Sequence, residues 1–238
     1  MTHVTQPTRH NPLQEASDRL VRTVDGLTDE QLAGPSLLPG WSRAHVVAHL
    51  ALNAEGLARA LEGVVQGDPA PVYDSGEARD RDIDDLSARA STELRERLMA
   101  AVTRLAEAVE HLTTEQQATG IERVPGGPVW RAGDAAAKRW VEVEVHHADL
   151  DAGYGCGDWP QEFSEHLLGN FAQRPPHWEP AFVADPYGLD GTWSLGTTDD
   201  RSPVVSGPAG ALAWWVTGRG DGSGLTSTTG ALPTIGRW

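Results

Sequence analysis

Across the first two thirds of the chain, apolar positions recur every three and four residues, the period of a helix with one buried face. Asn11-Pro12 opens a first segment carrying Leu13, Ala16, Leu20, Val24 and Leu27, with Gly26 near its end. A second begins after Pro39-Gly40, takes Ser42 as its N-cap and runs to about Leu61-Glu62-Gly63. The stretch 66–85, rich in Gly, Pro and Asp, reads as a loop. A third helix is predicted over 87–112, with Leu94, Leu98, Val102, Leu105, Val109 and Leu112 as its stripe. The Pro125-Gly126-Gly127-Pro128 loop separates it from a fourth over 131–152. Four such helices predict an antiparallel bundle with one long crossover.

After Gly153-Tyr154-Gly155 the pattern changes, and Gly, Pro, Thr, Ser and Trp become frequent. Short β-like runs appear at 192–195 and 203–205, and helical spacing returns at 161–170 and 209–216. The expected organisation is a helical domain over 1–153 followed by a small α+β domain over 154–238.

Composition narrows the partners. With 238 residues, 39% of them hydrophobic, the chain can bury a core without disulfide or metal staples. Nineteen Lys and Arg against 34 Asp and Glu give a net charge of −15. That sign opposes nucleic-acid phosphates and anionic lipid, so neither nucleic acid nor membrane is an expected partner. No apolar run approaches the roughly 18 residues of a membrane span, and the first residues lack a secretory apolar region. The expected location is the cytoplasm. A single cysteine, Cys156, excludes an intramolecular disulfide and a Cys-x-x-Cys zinc knuckle.

The fourth helix carries the chemistry. Glu142 and His146 are four residues apart, about 40° from each other on one face, and Asp149 shares that face. Val143 and Leu150 flank the face on one side, and Val141, Val145 and Ala148 on the other. A carboxylate and an imidazole among valines are costly to bury unless they pair or bind a cation. Trp140, Glu144 and His147 fall opposite and are expected to face solvent.

In the second helix His49 lies within the apolar stripe of Val46, Leu50 and Leu52, with His45 one turn before it and Asn53 one turn after. One histidine from this helix with Glu142 and His146 makes a His₂Glu set, the three-ligand arrangement of a catalytic zinc with an open fourth position. His45 and Asn53 are candidates to orient the ligands. A hydrogen-bonded His–Glu pair inside a helical core satisfies the same spacing. Glu144-Val145-His146-His147 also fits the Glu-x-x-His of di-iron bundles, but no other Glu precedes a His by three residues, which argues against such a centre.

Nucleophiles are scarce. Cys156 lies between two glycines without an evident His or Asn partner and reads as a bystander thiol. The glycine-rich 218–224 does not lead from a strand into a helix, so it makes a poor phosphate cradle. A nucleophile would arrive as water or as an external thiol.

The combination Leu38-Pro39-Gly40-Trp41-Ser42-Arg43-Ala44-His45-Val46-Val47-Ala48-His49, then Pro71-Val72-Tyr73, Glu77-Ala78-Arg79 and Glu142-Val143-Glu144-Val145-His146-His147-Ala148-Asp149-Leu150, resembles the mycothiol-dependent maleylpyruvate isomerases. Val204-Val205-Ser206-Gly207, Gly218-Arg219-Gly220, Thr226-Ser227-Thr228-Thr229-Gly230 and the terminal Arg237-Trp238 extend the similarity over nearly the whole chain. The resemblance implies a DinB-like four-helix bundle followed by a small α+β domain. It implies a divalent metal, usually zinc, on His49, Glu142 and His146, with Arg219 as a catalytic and substrate-binding residue from the second domain. It also implies mycothiol as thiol cosubstrate and a small dicarboxylate substrate, converted from maleylpyruvate to fumarylpyruvate. Two departures, Glu144 and His147 beside the ligand positions, leave alternative donors open. A mycothiol S-transferase on the same scaffold and a non-catalytic metal-containing binding domain are the competing readings.

Overall fold

The computed structural model describes residues 10–174 and 181–235, so Arg237-Trp238 lie outside the described residues. The chain divides into two compact units, Met1–Ala152 and Gly153–Trp238.

In the first unit α1 spans Pro12–Gly26, with Asn11 accepting from the Gln14 amide and Pro at the first turn, where its missing N–H costs nothing. A five-residue α2, Asp29–Ala33, follows behind a Thr28/Gln31 capping box. Helix α3, Arg43–Gln66, starts at Ser42 as predicted and runs three residues past the expected end. It stops at Gly67, whose φ of 79° is cheap only for glycine. Helix α4 spans Gly76–Ser87, where a loop was expected. Its buried stripe is only Ile83 and Leu86, too brief for periodicity to stand out among charged residues, and packing on α3 stabilises it. Helix α5 covers Ser91–Glu110 and α6 covers Ala135–Asp149. Between them β1 (Gly120–Glu122) and β2 (Val129–Arg131) pair antiparallel, a hairpin too short to show alternation in the sequence.

Helix α1 packs against α5 and α6, and α3 packs against the same two. Two connections, α1 to α3 and α5 to α6, therefore join elements on a diagonal, where the pattern had predicted one long crossover. Ala54, Leu57, Leu61, Leu105 and Ile121 belong to a continuous core.

Two features bring the α3 and α6 ends together. Arg43, the first residue of α3, donates to the carbonyls of Leu150 at 2.6 Å and Asp151 at 2.9 Å, just past the end of α6. The Leu37 amide donates to the Asp149 carbonyl at 2.8 Å. A cation on a helix C-terminus also complements its dipole. Gly56 on α3 admits a second approach: a Cβ there would lie 2.5 Å from the Val72 carbonyl oxygen. The Val72 and Tyr73 amides in turn donate to Glu122 and Arg123 carbonyls, so this segment extends the hairpin and places Tyr73 over α3.

The second unit holds α7 (Gln161–Ala172), β3 (Phe182–Tyr187), β4 (Trp193–Leu195), β5 (Val204–Pro208), α8 (Ala209–Val216) and β6 (Thr226–Ser227). The sheet order is β4-β3-β5-β6, with β3 and β5 parallel and the other pairs antiparallel. Alternate residues of β3 are buried beneath the helices, with the Phe182 ring 5.3 Å from that of Trp215. The bundle-plus-small-sheet class is the one the hydrophobic pattern predicted. Among the described residues no helix is long and apolar enough to cross a membrane.

Candidate metal centre

The capping of α6 by Arg43 sets the register in which α3 and α6 face each other, and His49, Glu142 and His146 meet across that seam. Glu142 Oε2 lies 3.0 Å from His49 Nε2 and 3.3 Å from His146 Nε2. The two rings stand edge to face with centroids 4.7 Å apart, and one donor atom from each residue lies within 4.8 Å of the others. Ligand atoms about 2.0–2.1 Å from a tetrahedral ion sit roughly 3.3–3.4 Å apart, so these spacings suit a small divalent cation. His49 and His146 are buried, while the Glu142 side chain keeps 28% exposure and opens the group to one side.

Protonation states follow from these contacts. Burial lowers the His49 pKa to about 4, against the raising effect of Glu142, so its imidazole is neutral. Burial pushes the Glu142 carboxyl up, but hydrogen bonds and charges from His146 and His49 outweigh it and hold it well below the usual range. Burial also opposes a proton on His146, yet hydrogen bonds to Asp149 and Glu142 prevail and raise its pKa. Of the two imidazoles, an added proton is therefore disfavoured on His49 and favoured on His146. Its Nδ1–H donates to buried Asp149 at 2.8 Å, the carboxylate–histidine arrangement that orients metal-bound imidazoles and leaves Nε2 for the ion.

The residues expected around the triad divide. His45 closes the α3 capping box: its Nδ1 accepts from the Ser42 amide at 3.3 Å, and its Nε2 lies 3.7 Å from Asp84. Asn53 donates to the Tyr73 hydroxyl at 3.2 Å and accepts from Arg139 at 2.7 Å. Neither is hydrogen-bonded to the three donors. Trp41 stacks on His45 and sets its edge against His49, with centroids 5.9 Å apart. Arg219 belongs to the second unit, its guanidinium carbon 5.5 Å from the Trp214 ring centroid. Cys156 is half-buried, and burial pushes its thiol pKa up, as fits a bystander.

One expectation is overturned. Trp140, Glu144 and His147 do not face solvent: their exposures are 8%, 0% and 1%. Helix α6 is covered on that side by α1, where Arg19 donates to Glu144 at 2.6 Å and Thr23 meets His147 at 2.8 Å. Polar residues on both helices pair with each other, which a hydrophobicity pattern reads as two exposed faces. Glu144 and His147 thus point away from the triad and are not alternative ligands.

Sequence reasoning passed over two cations near the site. Arg139, one turn before Glu142 on α6, is 1% exposed, and burial lowers its pKa to about 10. Arg79 on α4 donates from Nη2 to His49 Nδ1 at 3.3 Å. The i−3 spacing from Glu142 was a readable signal for Arg139. Arg79 lay in the segment taken for a loop.

Comparisons with known proteins bear on the chain as a whole. A family model described as the mycothiol maleylpyruvate isomerase N-terminal domain matches residues 13–151, and the MDMPI C-terminal domain model matches 158–237. Among solved structures, a mycothiol-dependent maleylpyruvate isomerase superposes with a TM-score of 0.84 at 26% identity, covering 95% of this chain and 94% of that one. A histidine-to-alanine mutant of mycothiol-dependent maleylpyruvate isomerase gives 0.83 at 25% identity with the same coverage. A search of curated proteins finds no match. With both halves of the chain matched in order, this protein belongs to the mycothiol maleylpyruvate isomerase family of enzymes.

Proposed function

We propose that this chain converts maleylpyruvate to fumarylpyruvate in the cytoplasm, using mycothiol as a recycled thiol. The observation that carries the reading is the His49–Glu142–His146 group, open on the Glu142 side, in a chain of this family. The donor set fits a divalent cation, and zinc is the ion proposed, held by His49 Nε2, Glu142 Oε2 and His146 Nε2. Bound there, such an ion supplies Lewis acidity that favours thiolate over thiol or polarises a substrate carbonyl.

Rotation about a carbon–carbon double bond requires its order to be lowered. A thiolate adding to the conjugated alkene forms a C–S bond and moves the π electrons onto the carbonyl as an enolate. After rotation the enolate collapses, the C–S bond breaks, and thiolate leaves with no net consumption. The chain's contribution is placement. Asp149 fixes the His146 ring, Trp41 walls off His49, and Glu142 keeps its negative charge on the open side. Arg219 is proposed to hold a substrate carboxylate through its guanidinium fork, the part assigned here to the C-terminal domain. The helical domain, residues 1–153, is the proposed metal-binding half, and residues 154–238 are the proposed substrate-positioning half.

The test is incubation with maleylpyruvate and substoichiometric mycothiol, followed by ultraviolet absorbance with and without a chelator. Turnover far beyond the thiol supplied, abolished by chelation, is the expected result. One product formed per thiol consumed would make the chain an S-transferase, and full turnover with metal removed would overturn the site.

A further inference from the structure

Arginine holds carboxylates best through two parallel N–H donors. Within this chain the Nε and Nη2 edge performs that task twice: Arg97 grips Glu55 at 2.6 and 2.8 Å, and Arg104 uses the same edge on Glu62. Arg79 departs from this arrangement. Its Nη1 holds the exposed Asp80 at 2.7 Å, but its Nε and Nη2 edge has no carboxylate among the described residues. The side chain is 18% exposed, and Nε is buried without a hydrogen-bond acceptor. Nη2, the other half of the fork, reaches only His49 Nδ1, at 3.3 Å. The edge of Arg79 that holds no carboxylate therefore abuts the triad.

Ligation by His49 would sharpen the imbalance. An imidazole that binds a cation through Nε2 carries its proton on Nδ1. Nδ1–H and Arg79 Nη2 would then both be donors facing each other, and the fork would lose its one acceptor on that edge. The surroundings favour an anion as replacement. The Tyr73 ring lies within 5.9 Å of the Arg79 guanidinium carbon and 5.4 Å of that of Arg123. Its hydroxyl is tied through Asn53 to buried Arg139, whose Nη2 also lacks an acceptor. Neither Arg123 nor Arg139 has a carboxylate within ion-pairing distance among the described residues. Arg79 and Arg123 against the Tyr73 ring, with Arg139 reached through Asn53, thus set three guanidinium groups close to one another beside the donor set.

We propose that the Nε/Nη2 edge of Arg79 is a carboxylate subsite of the triad and binds one carboxylate of the anionic substrate. Arg123 and Arg139 supply supporting charge, and Asn53 positions Arg139 against Tyr73. The proposal rests on the dicarboxylate reading above and gives the N-terminal unit its own substrate contact.

Maleate, a stable dicarboxylate, serves as the probe in calorimetric titrations of the zinc-loaded full chain without thiol. Wild type is compared with Arg79→Gln and Arg79→Lys, and zinc content is measured on each. The expected result is maleate binding about tenfold or more weaker in Arg79→Gln, with zinc retained. Arg79→Lys keeps the charge but loses the fork, so it should fall between the two. Equal maleate affinity in wild type and Arg79→Gln would overturn the subsite. So would loss of zinc from Arg79→Gln, which would make Arg79 a positioning residue for His49, and so would a wild type that ignores millimolar maleate. Intact maleate binding without thiol-dependent turnover would instead sink the isomerase reading and leave the subsite standing.

Discussion

Replacing Asp149 by asparagine separates a histidine held for a metal from one that merely fills the core. Asp149 is fully buried and accepts the His146 Nδ1–H at 2.8 Å. Asparagine preserves the shape and one acceptor oxygen but removes the charge. Loss of such a partner costs about 10–100-fold in metal affinity, roughly 1.4–2.7 kcal/mol. The pH dependence discriminates further. Burial lowers the His146 pKa, but the Asp149 hydrogen bond leads the contributions that raise it above its ordinary 6.5. An entering cation must displace that proton, so zinc affinity should fall about tenfold per pH unit below the His146 pKa. His49, held at about 4, and Glu142, held well below the carboxylate range, release no proton near neutrality. In Asp149→Asn the His146 pKa drops, and the decline in affinity begins at lower pH. The variant's deficit is therefore greatest in alkaline buffer and narrows toward acid. Competition against a chromophoric chelator across the neutral range measures both curves. Equal affinities at alkaline pH, or an unchanged onset of the decline, would refute the reasoning.

Three other outcomes are expected. Glu144→Ala leaves Arg19 facing a buried seam without its 2.6 Å partner and should cost about 3 kcal/mol in urea unfolding; a loss of about 0.5 kcal/mol or less would mark an exposed position. In metal-free protein the His49 pKa of about 4 lies below the unfolded 6.5, so the unfolded chain binds the extra proton and stability falls as pH drops between them. His146, raised above its unfolded value of 6.5, binds its proton in both states well below 6.5 and adds no slope in that lower part of the window. His49→Gln should therefore flatten the stability–pH curve by about 1.4 kcal/mol per pH unit in that window, and parallel curves would contradict a neutral buried His49. Arg219→Ala should retain zinc but lose most activity, and an unchanged kcat/KM would remove Arg219 from the reaction.

What could be read before folding was whatever depends on neighbours along the chain. Ser42 and Pro12 set the starts of α3 and α1, three- and four-residue spacing set the long helices, and the four-residue step put Glu142 and His146 on one face. These are properties of single elements, fixed by backbone geometry and local capping. Helix α4 and the β1–β2 hairpin escaped notice because each is too short to be stable by itself and exists through packing on α3 or through its pairing.

Contacts between distant segments were decided by tertiary structure alone. Helix α6 looked two-faced in sequence, yet α1 supplies Arg19 and Thr23 to Glu144 and His147, so its polar side is buried. Arg43, capping the end of α6 from the start of α3, fixes the register that delivers His49 to Glu142. The fork of Arg79 comes to the same place from a segment that appeared to be a loop. The residue types and their helical spacing lie in the sequence because they are local. Their partners, protonation states and open edges do not, because those depend on which surfaces the folded chain removes from water.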